Sequence, residues 1–229
     1  MTALFVTGID TEIGKTMACG VLAKTLLQQG FSLYTQKLVE TGCEGEVSND
    51  LQMHEKIVGH AFNDMGEDLH CPYRFTTPVS PHLAAEIDGR SINVEYLSNQ
   101  MKILKAARNH LLIEGAGGLC VPLNINYMLV DFVIEHQLPI VLVTSARLGS
   151  INHTMLTLEL CAQKNVDVRA IIYNYYPEVS VGMVESTRHV LKEYINQNFG
   201  DTLWLDLMKA QEVFQLNTKQ IEQLLTELV

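Results

Sequence analysis

The sequence predicts an α/β fold, a mainly parallel sheet with helices on both faces, in a single domain over residues 1–229. Two observations carry that expectation. Short apolar runs alternate with helical patterns along the whole chain, the signature of strands that return in parallel through covering helices. No repeat, linker or low-complexity tract interrupts the alternation, and 229 residues suffice for one large core.

In chain order, Leu4–Thr7 is the first strand, and a glycine-bounded loop leads to a helix over Lys15–Gln29 with Gly30 as its stop. A second strand spans Ser32–Lys37. Val39–Asn49, rich in glycine and acidic residues, is too long for a simple connection and is expected to be a functional loop. Helices follow over Asp50–Ala61, Pro81–Ile87 (Ser80 as cap, Pro81 at the first helical position) and Val94–Arg108. The third strand is Leu111–Glu114, then a helix over Met128–His136 and a strand at Ile140–Thr144. A helix over Ile151–Lys164, with Ser150 as cap, precedes a strand at Ala170–Tyr173. The remainder reads as helix Val181–Asn198, strand Leu203–Leu205 and helix Thr218–Leu228.

Composition narrows the function. A net charge of −10 argues against non-specific nucleic-acid binding, which needs clustered Lys and Arg. No apolar run approaches a membrane span. Met1–Val6 has no basic region of the kind that opens a signal peptide. Five scattered cysteines without a CxxC motif fit a reducing cytoplasm. Asp64, Glu67, Asp68 and His70 form an acidic cluster best read as a solvated loop, since no apolar frame fixes their geometry.

Gly8-Ile9-Asp10-Thr11-Glu12-Ile13-Gly14-Lys15-Thr16 is the strongest chemical signal. Strand, glycine-bounded loop, lysine, hydroxyl and helix occur in the order a phosphate-binding loop needs. Backbone N–H groups and the helix N-terminus face the anion, the lysine adds a mobile charge, and the threonine offers an oxygen to Mg²⁺. Five residues separate the glycines, one more than the usual spacing. The fold class is therefore P-loop NTPase-like.

Ligands of such sheets bind beyond the carboxyl ends of the strands, and unusual polar residues gather there. Glu114, closing an apolar strand before Gly115-Ala116-Gly117-Gly118, suits Mg²⁺. Asp50 is compatible with a cation ligand or a helix cap. Lys37 is placed either to stabilise a transferring phosphoryl group or to snorkel to solvent. Asn174 fits an adenine edge or a turn. The segment at Ser150 offers a second helix N-terminus for an anion such as a substrate carboxylate.

GIDTEIGKT, the K-x-V-x-TG stretch at Lys37 to Gly42, TPVSPH at Thr77–His82, EGAGGLCVPL at Glu114–Leu123 and LGSINHTMLT at Leu148–Thr157 together resemble dethiobiotin synthetase. The resemblance runs from Thr7 to about Asn174, and the five-residue loop spacing is that family's own. It implies an ATP- and Mg²⁺-dependent enzyme that carboxylates 7,8-diaminononanoate with CO₂ and closes the ring to dethiobiotin. The route passes through a carbamate and a carbamic–phosphoric anhydride. Carried over by motif, Glu12, Ile13, Gly14, Lys15, Thr16 and Met17 cradle ATP, and Thr16, Asp50 and Glu114 hold Mg²⁺. Lys37 is the catalytic lysine. Thr41, Ser150 and Asn152 meet the substrate, and Gly115, Ala116 and Gly117, grouped with the ATP-binding residues, face nucleotide or substrate. Asn174, Tyr175, Leu203, Trp204 and Leu205 lie on the adenine side. The resemblance also implies a homodimer with substrate at the subunit interface.

Departures are visible: Leu38 follows the lysine where the family often has proline, and the C-terminal third matches poorly. Partition and targeting ATPases of related fold, which act as nucleotide-gated switches, usually carry an additional early lysine, where this loop has Ile9, Asp10 and Thr11.

Overall fold

Strands covered by helices on both sides must be apolar on both faces, and the centre of this sheet is built from such runs. The computed structural model describes residues 2–45, 47–176, 178–210 and 213–216. Its elements are β1 (Thr2–Gly8), α1 (Lys15–Gln28), β2 (Leu33–Lys37), β3 (Glu40–Thr41), α2 (Asn49–Val58), α3 (Glu67–His70), β4 (Arg74–Phe75), α4 (Pro81–Ile87), α5 (Val94–Ala107), β5 (His110–Glu114), β6 (Pro122–Asn124), β7 (Tyr127–Met128), α6 (Leu129–Glu135), β8 (Ile140–Ser145), α7 (Ser150–Lys164), β9 (Val168–Asn174), α8 (Val181–Asn198), β10 (Leu203–Ala210) and β11 (Val213–Leu216).

Among the described residues the main sheet has the order β11-β10-β9-β8-β1-β5-β2. Every pair is parallel except β10 with β11. Strand β1 lies between β5 and β8, so the chain winds outward from it in two directions. Crevices open where the winding reverses, beyond the carboxyl ends of the strands. The phosphate loop follows β1 at that point.

Helix α1 is buried nearly all round, with Ala18, Cys19, Gly20 and Ala23 among its enclosed residues. These small side chains let α2 lie close. A Cβ added at Gly20 would stand 2.7 Å from Ile57 Cδ1 and 3.4 Å from the His54 backbone. The close approach brings the N-terminal half of α2 over the end of β5.

Several expectations are corrected. Ser48, not Asp50, caps α2: its Oγ accepts from the Leu51 N–H at 3.1 Å. Asp50 sits within the first turn, where a negative charge suits the helix dipole. The helix ends at Val58, three residues before the expected Ala61, because Gly59 caps it at φ 93°. Helix α7 begins at Ser150 with Gly149 as cap, and Ser150 makes no capping bond. The strand expected at Leu203–Leu205 continues to Ala210. Asp206 breaks the apolar run but not the alternation: Leu203, Leu205 and Leu207 are buried, and Asp206 accepts from Arg188 on the other face. The antiparallel β11 and the short pairs β3–β4 and β6–β7 were too brief to leave a pattern. The helix expected over Thr218–Leu228 lies outside the described residues. Among the described residues, no helix is long and apolar enough to cross a membrane.

Candidate active site

A cleft of about 790 Å³ opens over the carboxyl ends of β1, β2 and β5. Its floor is the phosphate loop, where Gly14 adopts φ 93° and Glu12, without glycine's freedom, adopts φ 56°. Lys15 is 6 % exposed, and its Nζ donates to the Asp10 carbonyl at 3.0 Å. Burial, with Lys37 nearby, lowers its pKa to about 8 against the pull of Glu114, Asp50 and Asp10. An anionic ligand over the loop would restore the charge.

Asn174 braces the loop from the end of β9. Its Nδ2 donates to the Ile13 carbonyl at 3.1 Å, and its Oδ1 accepts from the Tyr176 N–H at 3.1 Å. A Cβ at Gly14 would collide with the Asn174 amide, and φ there is already in the left-handed region. Gly14→Ala is therefore expected to cost about 1–3 kcal/mol of stability and to weaken nucleotide binding, read by thermal unfolding and calorimetry. A variant of wild-type stability would show the brace to be dispensable.

At the inner end of the cleft, four side chains from four elements converge. Thr16 Oγ1 donates within reach of Asp50 Oδ1 at 2.8 Å and Glu114 Oε1 at 3.0 Å. Lys37 Nζ stands 2.5 Å from Asp50 Oδ2, 2.8 Å from Glu114 Oε1 and 3.4 Å from the Gly115 carbonyl. Parallel pairing of Lys37 with Glu114 across β2 and β5 sets that juxtaposition. Burial opposes the Lys37 ammonium, but Glu114 and then Asp50 outweigh it and hold the group above its ordinary value. Burial likewise opposes the Glu114 carboxylate, and Lys37 and His54 hold it well below the usual range.

Thr16, Asp50 and Glu114 offer oxygen donors only. That donor set fits a hard cation such as Mg²⁺, which takes one or two carboxylates and completes its shell with water and phosphate.

Other expected residues divide. Glu12, Met17, Thr41, Ala116 and Gly117 line the cleft with those already named. Ile13 contributes its carbonyl while its side chain is buried. Gly115 lies behind the wall, where a Cβ would press on the Phe5 ring at 2.8 Å.

Six other expected residues do not line the cleft. Tyr175 turns away to Asp206, with its hydroxyl at 3.2 Å, and Tyr176 lines the cleft instead. Leu203 and Leu205 are core residues in the first half of β10, and Trp204 stacks on Tyr173 at 5.3 Å. In register with β9, Leu203 pairs with Ala170, four residues short of Asn174, so this stretch lies deep in the sheet. Ser150 is buried, with its Oγ 3.4 Å from Ser145 Oγ, and does not line the cleft. Asn152 is exposed outside the cleft on α7.

Sequence reasoning missed His54 and Glu40 and gave no site role to the Thr77–His82 stretch, of which Pro78 to Pro81 line the cleft. His54 Nε2 lies 2.9 Å from Glu114 Oε2, fully buried. It follows Asp50 by four residues, so the helical period alone places both on one face. Glu40, also buried, accepts from Ser48 Oγ and from the Asn49 N–H at 3.0 Å, pinning the Val39–Asn49 segment to α2. At the loop's rim, Asp10 pairs with Arg147 and lies 3.8 Å from His153.

The residues read as a solvated acidic loop instead take separate partners, and Glu67–His70 is helix α3 with His70 buried. Asp64 accepts from Tyr34, Asp68 from Arg74 and Glu67 from the Ser48 N–H, while His70 faces the Thr35 carbonyl.

A family model described as an AAA domain matches residues 2–201. The ATP-dependent dethiobiotin synthetase BioD 2 of Haemophilus ducreyi is 45 % identical over 205 residues, covering 88 % of this chain and 96 % of that protein. BioD 2 of Pasteurella multocida is 45 % identical over 90 % of this chain and 98 % of its own length. The ATP-dependent dethiobiotin synthetase BioD of Chlorobaculum tepidum is 41 % identical over 89 % of this chain and 86 % of its own. Among solved structures, a putative plasmid partition protein from Borrelia burgdorferi bound to AMPPNP has a TM-score of 0.57 at 11 % identity, covering 98 % of this chain and 96 % of that one. The cell division protein FtsY of Thermotoga maritima has a TM-score of 0.54 at 15 % identity, covering 98 % of this chain and 68 % of that one. These distant structures share the P-loop fold.

Proposed function

Because the chain belongs to the dethiobiotin synthetase family, we propose that it carboxylates 7,8-diaminononanoate at the expense of ATP and closes the product to dethiobiotin. One amine of the substrate attacks CO₂ and loses a proton, giving a carbamate. A carbamate oxygen attacks the γ-phosphorus and ADP leaves, giving a carbamic–phosphoric anhydride. The second amine attacks the carbonyl carbon, the C–O bond to phosphate breaks, and the ureido ring closes. Products are dethiobiotin, ADP and phosphate.

The observation that carries this reading is the Lys37 ammonium, 5 % exposed and fixed between Asp50 and Glu114 beside the phosphate loop. A lysine so anchored is pre-organised to stabilise negative charge on both the carbamate and the transferring phosphoryl group. Loop N–H groups and Lys15 hold the phosphates, and Thr41 at the cleft's opposite wall meets the substrate. The base lies toward Asn174 and Tyr176. Thr16, Asp50 and Glu114 would hold Mg²⁺, which when bound offsets phosphate charge and favours displacement at the γ-phosphorus. The exposed apolar Leu148 and Leu156 on and before α7 support a homodimer formed over that face, with Asn152 reaching the partner's substrate. Five free cysteines support a cytoplasmic location.

Purified protein with Mg-ATP is expected to release phosphate only when diaminononanoate and bicarbonate are both present. Turnover without substrate, stimulated by DNA or lipid, would instead indicate a nucleotide-gated switch. An active species sedimenting as a monomer would remove the shared site.

A further inference from the structure

We propose that His54 is a positioning residue for Glu114, holding one carboxylate oxygen so that the other is presented to the cation. The inference rests on the reading of Thr16, Asp50 and Glu114 as the Mg²⁺ donors. Its geometry splits the carboxylate into two halves. Oε2 faces inward to His54 Nε2 at 2.9 Å, and Oε1 faces the cleft, meeting Lys37 Nζ at 2.8 Å and Thr16 Oγ1 at 3.0 Å.

A carboxylate only accepts hydrogen bonds, so the proton lies on Nε2, and the bond fixes the ring's orientation and the rotation of the carboxylate together. The other ring nitrogen, Nδ1, is buried without a hydrogen-bond partner. The Cys19 thiol lies beside the pair: Cys19 Sγ, a His54 ring nitrogen and a Glu114 oxygen all lie within 4.8 Å of one another. A thiol is a weak hydrogen-bonding group, so the ring's one strong bond is to Glu114. Burying an imidazole there is costly unless it bonds, and a purely packing role would be filled better by leucine.

Position reinforces the role. His54 follows Asp50 by one helical turn, so α2 presents one cation carboxylate directly and orients the other through His54. The close packing of α2 on α1 at Gly20 fixes the distance between them.

The test is Mn²⁺ affinity, measured by paramagnetic resonance with a non-hydrolysable ATP analogue, alongside thermal unfolding. His54→Leu, which keeps the volume and removes the donor, is expected to weaken Mn²⁺ by ~10–100-fold, the range seen when a ligand's supporting hydrogen bond is lost. His54→Gln, whose amide reaches the Nε2 position, should recover most of that affinity, and His54→Asn, which is too short, should not. Wild-type Mn²⁺ affinity in a folded His54→Leu protein would overturn the proposal. So would equal affinity in the Gln and Asn variants, which decides the matter if the Leu variant does not fold. Stoichiometric zinc in the purified protein, bound through Cys19, His54 and Glu114, would also overturn it, because the metal would replace the hydrogen bond. Asp50→Asn and Glu114→Gln serve as controls: undiminished Mn²⁺ binding in both would sink the cation reading itself, whatever His54 does.

Discussion

Lys37→Ala is expected to reduce kcat by ~10²–10³-fold or more, while the affinity for ATP falls far less. The two effects separate because different groups carry them. In the proposed reading the triphosphate is held by loop N–H groups and by Lys15, and the Lys37 side chain is not among its holders. The same reading assigns the developing charge of carbamate and phosphoryl group to the Lys37 ammonium, whose Nζ is 2.5 Å from Asp50 and 2.8 Å from Glu114. Removing it also leaves two carboxylates facing each other at the inner end of the cleft. Breaking a buried ion pair from one side costs about 3–5 kcal/mol, and less here because Asp50 retains some contact with solvent. Mg²⁺ should offset part of that repulsion, so Mg-ATP is expected to raise the unfolding temperature of the variant more than that of the wild type. Unchanged kcat would remove Lys37 from the mechanism.

Glu114→Gln is expected to act on stability and on cation affinity together. The carboxylate is wholly buried and serves Lys37, Thr16 and His54 at once. An amide of the same shape keeps the packing but loses the negative charge that balances Lys37, at a cost of about 3 kcal/mol or more. The Mg²⁺ titration of activity should shift to higher concentration, because one of two carboxylates in the oxygen set is gone. An unaltered Mg²⁺ titration in a folded variant would exclude Glu114 as a ligand.

The sequence shows where this site is more clearly than how it is braced. Thr16, Lys37, Asp50 and Glu114 each sit at a strand end or helix start, and a parallel sheet brings such positions to one edge whatever the intervening loops do. Asp50 was readable as a cap because Asp is a common cap, but Ser48 takes that role and leaves Asp50 free for the cluster. His54 was legible in principle, four residues after Asp50, yet a histidine inside a helix gives no sign of its depth. Asn174 illustrates the opposite limit: its position was clear, but its use as a brace on Ile13 depends on a contact across 161 residues. The residues expected on the adenine side, Leu203, Trp204 and Leu205, fall in the first half of the last described parallel strand, away from the cleft. Asp206 interrupts the apolar run there, and only the alternation of Leu203, Leu205 and Leu207 reveals that the strand continues.

The central claim is that the γ-phosphoryl group is transferred to a carbamate oxygen rather than to water. Brief turnover with ¹⁸O-labelled bicarbonate in unlabelled water tests it directly. The released phosphate is expected to carry one oxygen from bicarbonate for each dethiobiotin formed. Phosphate that draws its new oxygen only from solvent would contradict the account.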